Sequence, residues 1–190
     1  MDINRHDVGR VSDKLLLLSD NELVRIANLQ LPYVTSAYEV LFHRYHRQLI
    51  QICFRYLNSL EEAEDAVSDT MLNVFNSLSS FAERSSFKTW IYRIAHNQSL
   101  DRLRKKKLNM VDMDEASYVI DEAKGVDSEY SGKTNQWLDT LSLEDRTIVV
   151  FRIAGDLEFA EIADIIEQKL STVKMRYKRA LQKMANLEDR

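Results

Sequence analysis

The sequence is poor in the residues that shape tight turns and sheet corners, with four glycines and one proline among 190 residues. This scarcity disfavours a β-sandwich or barrel and favours helices. The single cysteine, Cys53, excludes an internal disulfide and a cysteine-based metal cage. The four histidines show no zinc spacing with other ligands. We therefore expect an all-α protein that holds no metal or other cofactor.

Long hydrophobic runs and catalytic motifs are also missing. The run Leu15–Leu18 is far too short to span a bilayer, and the first residues carry charges instead of the apolar core of a secretory signal. The sequence contains no glycine-rich phosphate loop, nucleophile elbow or metal-ligand spacing. These absences predict a cytoplasmic protein without stable membrane insertion, and they argue against an enzyme.

The net charge of −4 conceals an uneven distribution of charge along the chain. Residues 83–108 contain eight basic and two acidic residues, and residues 168–183 contain six basic residues and no acid. Residues 109–136 between them contain two basic and seven acidic residues. Because phosphate binding depends on the local field, the two basic blocks are compatible with nucleic acid. Each block is equally compatible with a solvated helix face.

Apolar residues at helical spacing define the first part of the chain. Such stripes run through residues 38–56 and 63–78, and a polar loop over residues 77–86 follows them. Ser86 is a suitable N-cap for a third helix, which ends in the basic run Arg102–Lys107. We expect three packed helices here.

The second half contains the pattern of a helix-turn-helix. Ser142 is a suitable N-cap for one helix, with acidic residues in its first turn. Two shorter helical stripes follow, over residues 159–166 and from about Ser171 to Met184, separated by a polar break. Val173, Tyr177, Leu181 and Met184 are expected to face inward.

These patterns predict an all-α fold of two small helical domains joined by a flexible acidic linker, the second domain containing the helix-turn-helix. Residues 1–19 lack periodicity and are expected to form a mobile N-terminal tail. Residues 20–108 form the first domain, residues 109–135 the linker and residues 136–190 the second domain.

The second short helix has the composition of a DNA-recognition helix. Its early residues lie off the apolar stripe, where they could reach base edges or phosphates in the major groove: Lys174, Met175, Arg176, Lys178 and Arg179. An ordinary amphipathic helix with a solvated basic face would show the same pattern.

The central basic block combines aromatic and basic residues on one loop and helix. Phe81, Phe87, Trp90 and Tyr92 cannot all face inward on a regular helix whose inner face is already apolar. Exposed rings among cations suit single-stranded DNA, because unstacked bases lie on rings while cations neutralise phosphates. The alternative is a core Trp90 with only Tyr92 exposed.

Four stretches together resemble one protein family. "AEDAVSDTMLNVFNSL" (63–78), "FKTWIYRIAHNQSLDRLRKKK" (87–107), "LSLEDRTIVVFRIAGDLEFAEIADII" (141–166) and "LSTVKMRYKRALQKM" (170–184) are similar to the extracytoplasmic-function sigma factors of the sigma-70 family, in family order and spacing. Within this family, the amino-acid sequence is similar to that of the SigX branch. The resemblance implies an alternative sigma factor that directs RNA polymerase core enzyme to promoters and melts promoter DNA.

The resemblance also implies roles for single residues. The helix over 63–78 would bind the polymerase through Asp65, Ser68, Asp69 and Asn73. The loop and helix of the central block would bind the −10 element, with a pocket for a flipped base formed by Ser85, Phe87, Trp90 and Asn97, and with phosphates held by Arg93, Arg102 and Arg104. The −35 element would be read by Lys174, Met175, Arg176, Lys178 and Arg179.

Further partners follow from the same resemblance. The acidic linker would enter a polymerase channel used by RNA, where its negative charge mimics the strand. Promoter DNA and RNA polymerase core enzyme are the expected partners, and the family allows an anti-sigma factor as a third.

The sequence departs from the family at two positions, and two other functions remain open. Glu167 stands near the place of a glycine in the helix-turn-helix turn, which predicts a looser or shifted turn, and Met175 replaces a small polar residue. A helix-turn-helix regulator that acts without core polymerase would bind DNA by itself. An all-helical interaction protein would leave both basic blocks as solvated faces.

Overall fold

A computed structural model describes residues 14–111 and 137–188 of the chain. The described residues contain α-helices and one 3₁₀ turn and no β-strand. The helices are α1 (Asp20–Gln30), α2 (Ser36–Leu57), α3 (Leu60–Ser77), α4 (Phe87–Val111), α5 (Leu143–Ile153), α6 (Phe159–Ile165) and α7 (Leu170–Glu188), and the 3₁₀ turn is Leu78–Ser80. The predicted all-α fold is thereby confirmed.

Helices α1 to α4 form the first domain, in which α2 packs against each of the other three. Local signals fix the helix ends. Asn58 ends α2 in a left-handed conformation with φ 53°, and the Ser59 hydroxyl accepts a hydrogen bond from the Glu62 amide at the start of α3. The predicted cap of α4 is confirmed, because the Thr89 amide donates to the Ser86 hydroxyl over 3.0 Å.

Two predicted boundaries differ from the described helices. Leu15 is buried, so packing against the first domain begins inside the stretch predicted to be a mobile tail, whose residues 1–13 lie outside the described residues. Helix α4 continues to Val111, beyond the predicted boundary at Leu108. The remainder of the predicted linker, residues 112–135, also lies outside the described residues.

Helices α5 to α7 form the second domain, in which α5 and α6 both pack on α7. The predicted cap of α5 is confirmed, since the Asp145 amide donates to the Ser142 hydroxyl over 3.2 Å. Val173 and Ala180 are the fully buried residues of α7. Leu181, predicted to face inward, is 38% exposed because Ala180 takes the inner position on that turn.

The two domains pack against each other through aromatic side chains. The rings of Tyr92 on α4 and Phe151 on α5 are stacked with centroids 6.2 Å apart, and His96 lies edge-on to Phe151 at 5.7 Å. Helix α4 therefore has two buried faces, one toward the first domain and one toward the second. This second face explains why Tyr92 is fully buried, against the expectation of an exposed ring.

The turn of the helix-turn-helix places Glu167 in the left-handed region, with φ 54°. The backbone thus keeps the conformation for which glycine is suited, although the side chain has a Cβ atom. The turn is strained at this position.

Replacing Glu167 with Gly should raise the free energy of unfolding by about 0.5–1 kcal/mol. A left-handed residue with a Cβ costs roughly 1–2 kcal/mol, and the greater freedom of glycine in the unfolded chain removes part of that gain. Urea denaturation measures the change. Glu167→Ala is the control, because it removes the carboxylate and keeps the Cβ. An equal increase in the free energy of unfolding in both variants would assign the effect to the lost charge. No increase in either variant would show that the left-handed conformation of Glu167 costs no stability.

Candidate nucleic-acid interface

One exposed stripe runs along α3. Asp65, Ser68, Asp69 and Asn73, predicted to bind the polymerase, are all exposed and follow each other at helical spacing. Leu72 lies in the same stripe and is 59% exposed. A large apolar side chain at the centre of an exposed polar stripe is a typical anchor for a partner protein. The sequence analysis missed Leu72, although the spacing of its neighbours places it on the same face.

Arg102 on α4 connects this stripe to the predicted DNA-binding residues. Its guanidinium pairs with the carboxylate of Asp69 and lies 3.8 Å from that of Asp65. A cation predicted to hold a phosphate is therefore bound to two acids predicted to contact the polymerase. The antiparallel packing of α3 and α4 brings together residues that are far apart in sequence.

The four residues predicted to form a base pocket lie at different depths. Phe87 is buried in the first domain, where its ring lies 5.6 Å from that of Tyr45. Ser85 and Trp90 are half-buried, and Asn97 is exposed. Phe87 supports the pocket from beneath, because its ring contacts that of Trp90 at 5.8 Å.

Trp90 and Asn97 line one groove between α3 and α4. The groove has a volume of about 470 Å³, and its other polar lining residues include Asn73, Asn76 and Gln98. Amide side chains both donate and accept hydrogen bonds, as the edges of nucleobases require, and an indole ring offers a face for stacking. The groove combines both properties on an open surface of the first domain.

The other two arginines of the predicted −10 surface differ in their surroundings. Arg93 donates to the backbone carbonyl of Asp164 over 3.2 Å and pairs with the carboxylate of the same residue, on α6 of the second domain. Arg104 is exposed and pairs with Asp101 one turn away on α4 at an N–O distance of 3.2 Å. Arg104 is therefore open to a phosphate, whereas Arg93 is engaged by the second domain.

Helix α7 exposes most of the residues predicted to read the −35 element. Lys174, Lys178 and Arg179 are exposed, and Met175 is 48% exposed. Arg176 differs, because its Nε donates to the carboxylate of Asp145 over 2.9 Å and its guanidinium pairs with Glu144.

Arg176 therefore joins α7 to the first turn of α5. The sequence suggested the cap acids of α5 and the basic face of α7 separately. Their pairing depends on how the two helices cross, which the sequence pattern does not contain.

Burial shifts the pKa of the buried side chains of His96 and Cys53. Burial, with a smaller contribution from Arg104, lowers the pKa of His96 to about 4, and the imidazole shares a 3.0 Å hydrogen bond with the Tyr56 hydroxyl. Burial raises the pKa of the Cys53 thiol to about 11. The described residues contain no His, Cys, Asp or Glu cluster that could hold a metal ion. No described helix has the length and apolar character to cross a membrane.

Comparison with known proteins gives two family matches. Sigma-70 region 2 matches residues 41–108, and sigma-70 region 4 matches residues 135–184. The ECF RNA polymerase sigma factor SigW of Bacillus subtilis (strain 168) is 32% identical over 149 residues, which cover 71% of this chain and 80% of SigW. SigX of the same organism is 25% identical over 165 residues, covering 80% of this chain and 85% of SigX. The narrower resemblance to the SigX branch therefore has only weak support.

The fold also matches a solved structure. The sigma factor RpoE in complex with the anti-sigma factor NepR from Bartonella quintana is similar with a TM-score of 0.67 and 20% sequence identity. The match covers 82% of this chain and 98% of that one. At this identity the similarity establishes the shared helical fold.

Replacing Arg176 with Ala should lower the free energy of unfolding by about 1 kcal/mol, because a half-buried pair with two carboxylates is lost. Lys178→Ala, on the exposed face of the same helix, should change it by less than about 0.5 kcal/mol. Thermal unfolding followed by circular dichroism compares the two variants. Equal melting temperatures would show that the contacts of Arg176 with α5 contribute nothing to stability.

Proposed function

We propose separate functions for the two domains of this chain. The chain belongs to the extracytoplasmic-function (ECF) RNA polymerase sigma factors. The chain is an alternative sigma factor, a transcription initiation factor and not an enzyme. In our proposal residues 20–108 bind core polymerase and the −10 element, residues 109–135 link the domains, and residues 136–190 bind the −35 element.

The observation that carries this function is the presence of both sigma regions in one chain, in order, at residues 41–108 and 135–184. A helix-turn-helix regulator independent of polymerase would have no need of region 2, and an interaction protein without a DNA role would have no need of region 4. In vitro transcription with purified core enzyme on a pool of promoters tests the function directly. Transcripts that depend on the added chain are expected.

The α3 stripe is proposed to bind core polymerase. Asp65, Ser68, Asp69 and Asn73 provide polar contacts, and Leu72 provides an apolar anchor among them. Interface energy concentrates in a few buried apolar or aromatic side chains surrounded by polar contacts. The arrangement on α3 has this composition.

The groove between α3 and α4 is proposed to capture the unpaired −10 strand. Trp90 would stack on a base, and Asn97 would bind a base edge. The buried Phe87 supports Trp90 through a ring contact, and Ser85 is half-buried in the loop before α4. Phosphates would be bound by Arg104, which is exposed, and by Arg93 and Arg102 after they leave their present acidic partners.

Helix α7 is proposed to lie in the major groove of the −35 duplex. Lys174, Lys178 and Arg179 supply cations, and Met175 supplies an apolar contact of the kind that thymine methyl groups accept. Arg176 is already paired with acids of α5, so it helps to hold α7 against α5. It would contact DNA only if its guanidinium left these carboxylates and bound a phosphate or a base instead.

The remaining proposals concern the cellular location of the protein and its partners. A protein that works with bacterial RNA polymerase and DNA acts in the cytoplasm. Structures of this fold include one with an anti-sigma factor, and we propose the same class of protein as a regulator here. The acidic residues 109–135 are proposed to occupy an RNA path in the polymerase.

Leu72→Ser should weaken binding to core polymerase about tenfold while the melting temperature stays unchanged. The leucine is exposed in the free chain, so its loss costs the fold little, and burying a leucine side chain contributes on the order of 1.5 kcal/mol or more to an interface. Competition against the parent chain for core enzyme measures the effect. Leu29→Ser, the same substitution at a leucine of α1 that is 88% exposed, is the control. Parent-like competition by Leu72→Ser would move the interface away from this stripe.

Asn97→Ala should reduce open-complex formation while core binding and melting temperature are retained. Flipping a base costs a few kcal/mol, and a pocket that binds the base recovers that cost. On a pre-melted bubble, substituting the recognised base should weaken transcription by the parent and leave the variant unchanged. If parent and variant respond alike to every base of the bubble, Asn97 does not read one.

A further inference from the structure

A cavity of about 410 Å³ lies between the two domains. Its lining combines residues of α4 in the first domain with residues of α5 and of the helix-turn-helix turn in the second. It shares none of them with the groove that contains Trp90 and Asn97. Cavities that bind small molecules have volumes of about 300–1,000 Å³ and are frequent at domain interfaces. The size and the place of this cavity are therefore typical of a ligand site.

Four apolar side chains line the cavity, and both domains contribute to them. They are Leu100 and Leu103 on α4, Leu143 at the start of α5 and Ile166 directly after α6. None of the four is fully buried, and Leu143 is 41% exposed. An apolar molecule that covers these side chains removes their surface from water, which favours binding.

Two polar residues of the lining are already bonded within the chain. The His96 imidazole shares a 3.0 Å hydrogen bond with the Tyr56 hydroxyl, and burial keeps the ring uncharged by lowering its pKa to about 4. The Thr147 hydroxyl donates to the backbone carbonyl of Leu143 over 2.8 Å. Neither residue brings a charge into the cavity.

Gln168, in the turn before α7, has an unsatisfied acceptor. Its side-chain oxygen is buried and has no hydrogen-bond partner among the described residues. Its amide nitrogen lies 3.5 Å from the carboxylate of Glu144, which fixes the orientation of the amide. Buried carbonyl oxygens without a donor are rare, because they lose their bonds to water and gain none in return. A ligand that carries an N–H group would supply the missing donor.

Arg104 brings a positive charge to the same cavity. Its side chain is 73% exposed and pairs with Asp101 through one nitrogen at 3.2 Å. A guanidinium has five N–H donors, so it can bind a further carboxylate. The acid of the lining, Glu144, is already paired with Arg176. The charge of the cavity therefore favours an anionic group beside Arg104.

We propose that this cavity binds a small amphipathic molecule of the N-acyl amino acid class. Its acyl chain covers the leucines of α4 and α5, its amide N–H donates to the side-chain oxygen of Gln168, and its carboxylate binds Arg104. Because such a molecule touches both domains, its binding stabilises the contact between them. The site is separate from the proposed polymerase-binding stripe and from the groove proposed for the −10 strand.

Isothermal titration of the full chain with N-decanoylglycine, kept below the concentration at which it forms micelles, tests the chemistry of the ligand. Saturable binding of one molecule per chain is expected. Decanoate, which lacks the N–H group, and N-decanoylglycinamide, which lacks the charge, should each bind about tenfold more weakly, because each loses one polar contact. No binding of N-decanoylglycine, or equal binding of all three compounds, would overturn the proposal.

Substitutions in the lining test the place of binding. Gln168→Met removes the acceptor and should weaken N-decanoylglycine about tenfold while the affinity for decanoate stays unchanged. Arg104→Gln should have the same effect on N-decanoylglycine and none on N-decanoylglycinamide. Lys105→Gln, the same loss of charge at the next, exposed position of α4, is the control and should bind all three like the parent.

Leu100→Trp fills the cavity and should abolish binding, with circular dichroism to verify that the variant is folded. Parent-like binding by folded Leu100→Trp, or by both Gln168→Met and Arg104→Gln, would place the molecule elsewhere on the chain and overturn the proposal.

Discussion

The stacked rings of Tyr92 and Phe151 determine which part of α4 remains available to a ligand. A helix in a two-layer packing buries one stripe and exposes the rest. Helix α4 buries a second stripe because the helix-turn-helix domain packs on it, so only the side with Trp90 and Asn97 remains open. The role assigned to Arg93, which lies on the covered side, depends on whether that interdomain contact is formed.

A second constraint concerns the arginines of this chain, whose net charge is −4. Arginines predicted to contact DNA are paired with acids in the free chain: Arg93 with Asp164, Arg102 with Asp69, and Arg176 with Asp145. Binding DNA exchanges these carboxylates for phosphates, so the net gain is the difference between two similar interactions. We therefore expect a chain whose arginines are already paired with acids to bind DNA more weakly than one whose arginines are unpaired.

The sequence was sufficient for features that depend on neighbours along the chain. Helical stripes and the Ser86 and Ser142 caps are local patterns, and their positions were predicted correctly. Local patterns did not predict that Tyr92 is buried, that Leu181 is exposed or that Arg176 pairs with acids. Each depends on which helix crosses the residue, and single-sequence periodicity carries no information about crossing partners.

Helix α7 shows how such tertiary contacts bear on specificity. With Arg176 held by α5, the residues proposed to read the −35 element that remain exposed on α7 are Lys174, Met175, Lys178 and Arg179. Lysine is a flexible point charge suited to phosphates, whereas bidentate recognition of guanine needs a guanidinium. Discrimination by base contacts would then fall on Arg179 and on the fit of Met175 against a thymine methyl, with the lysines fixing the register of the helix on the backbone. If α7 binds the −35 element as proposed, the pairing of Arg176 in the free chain bears on which bases are read, as well as on how firmly α7 is held.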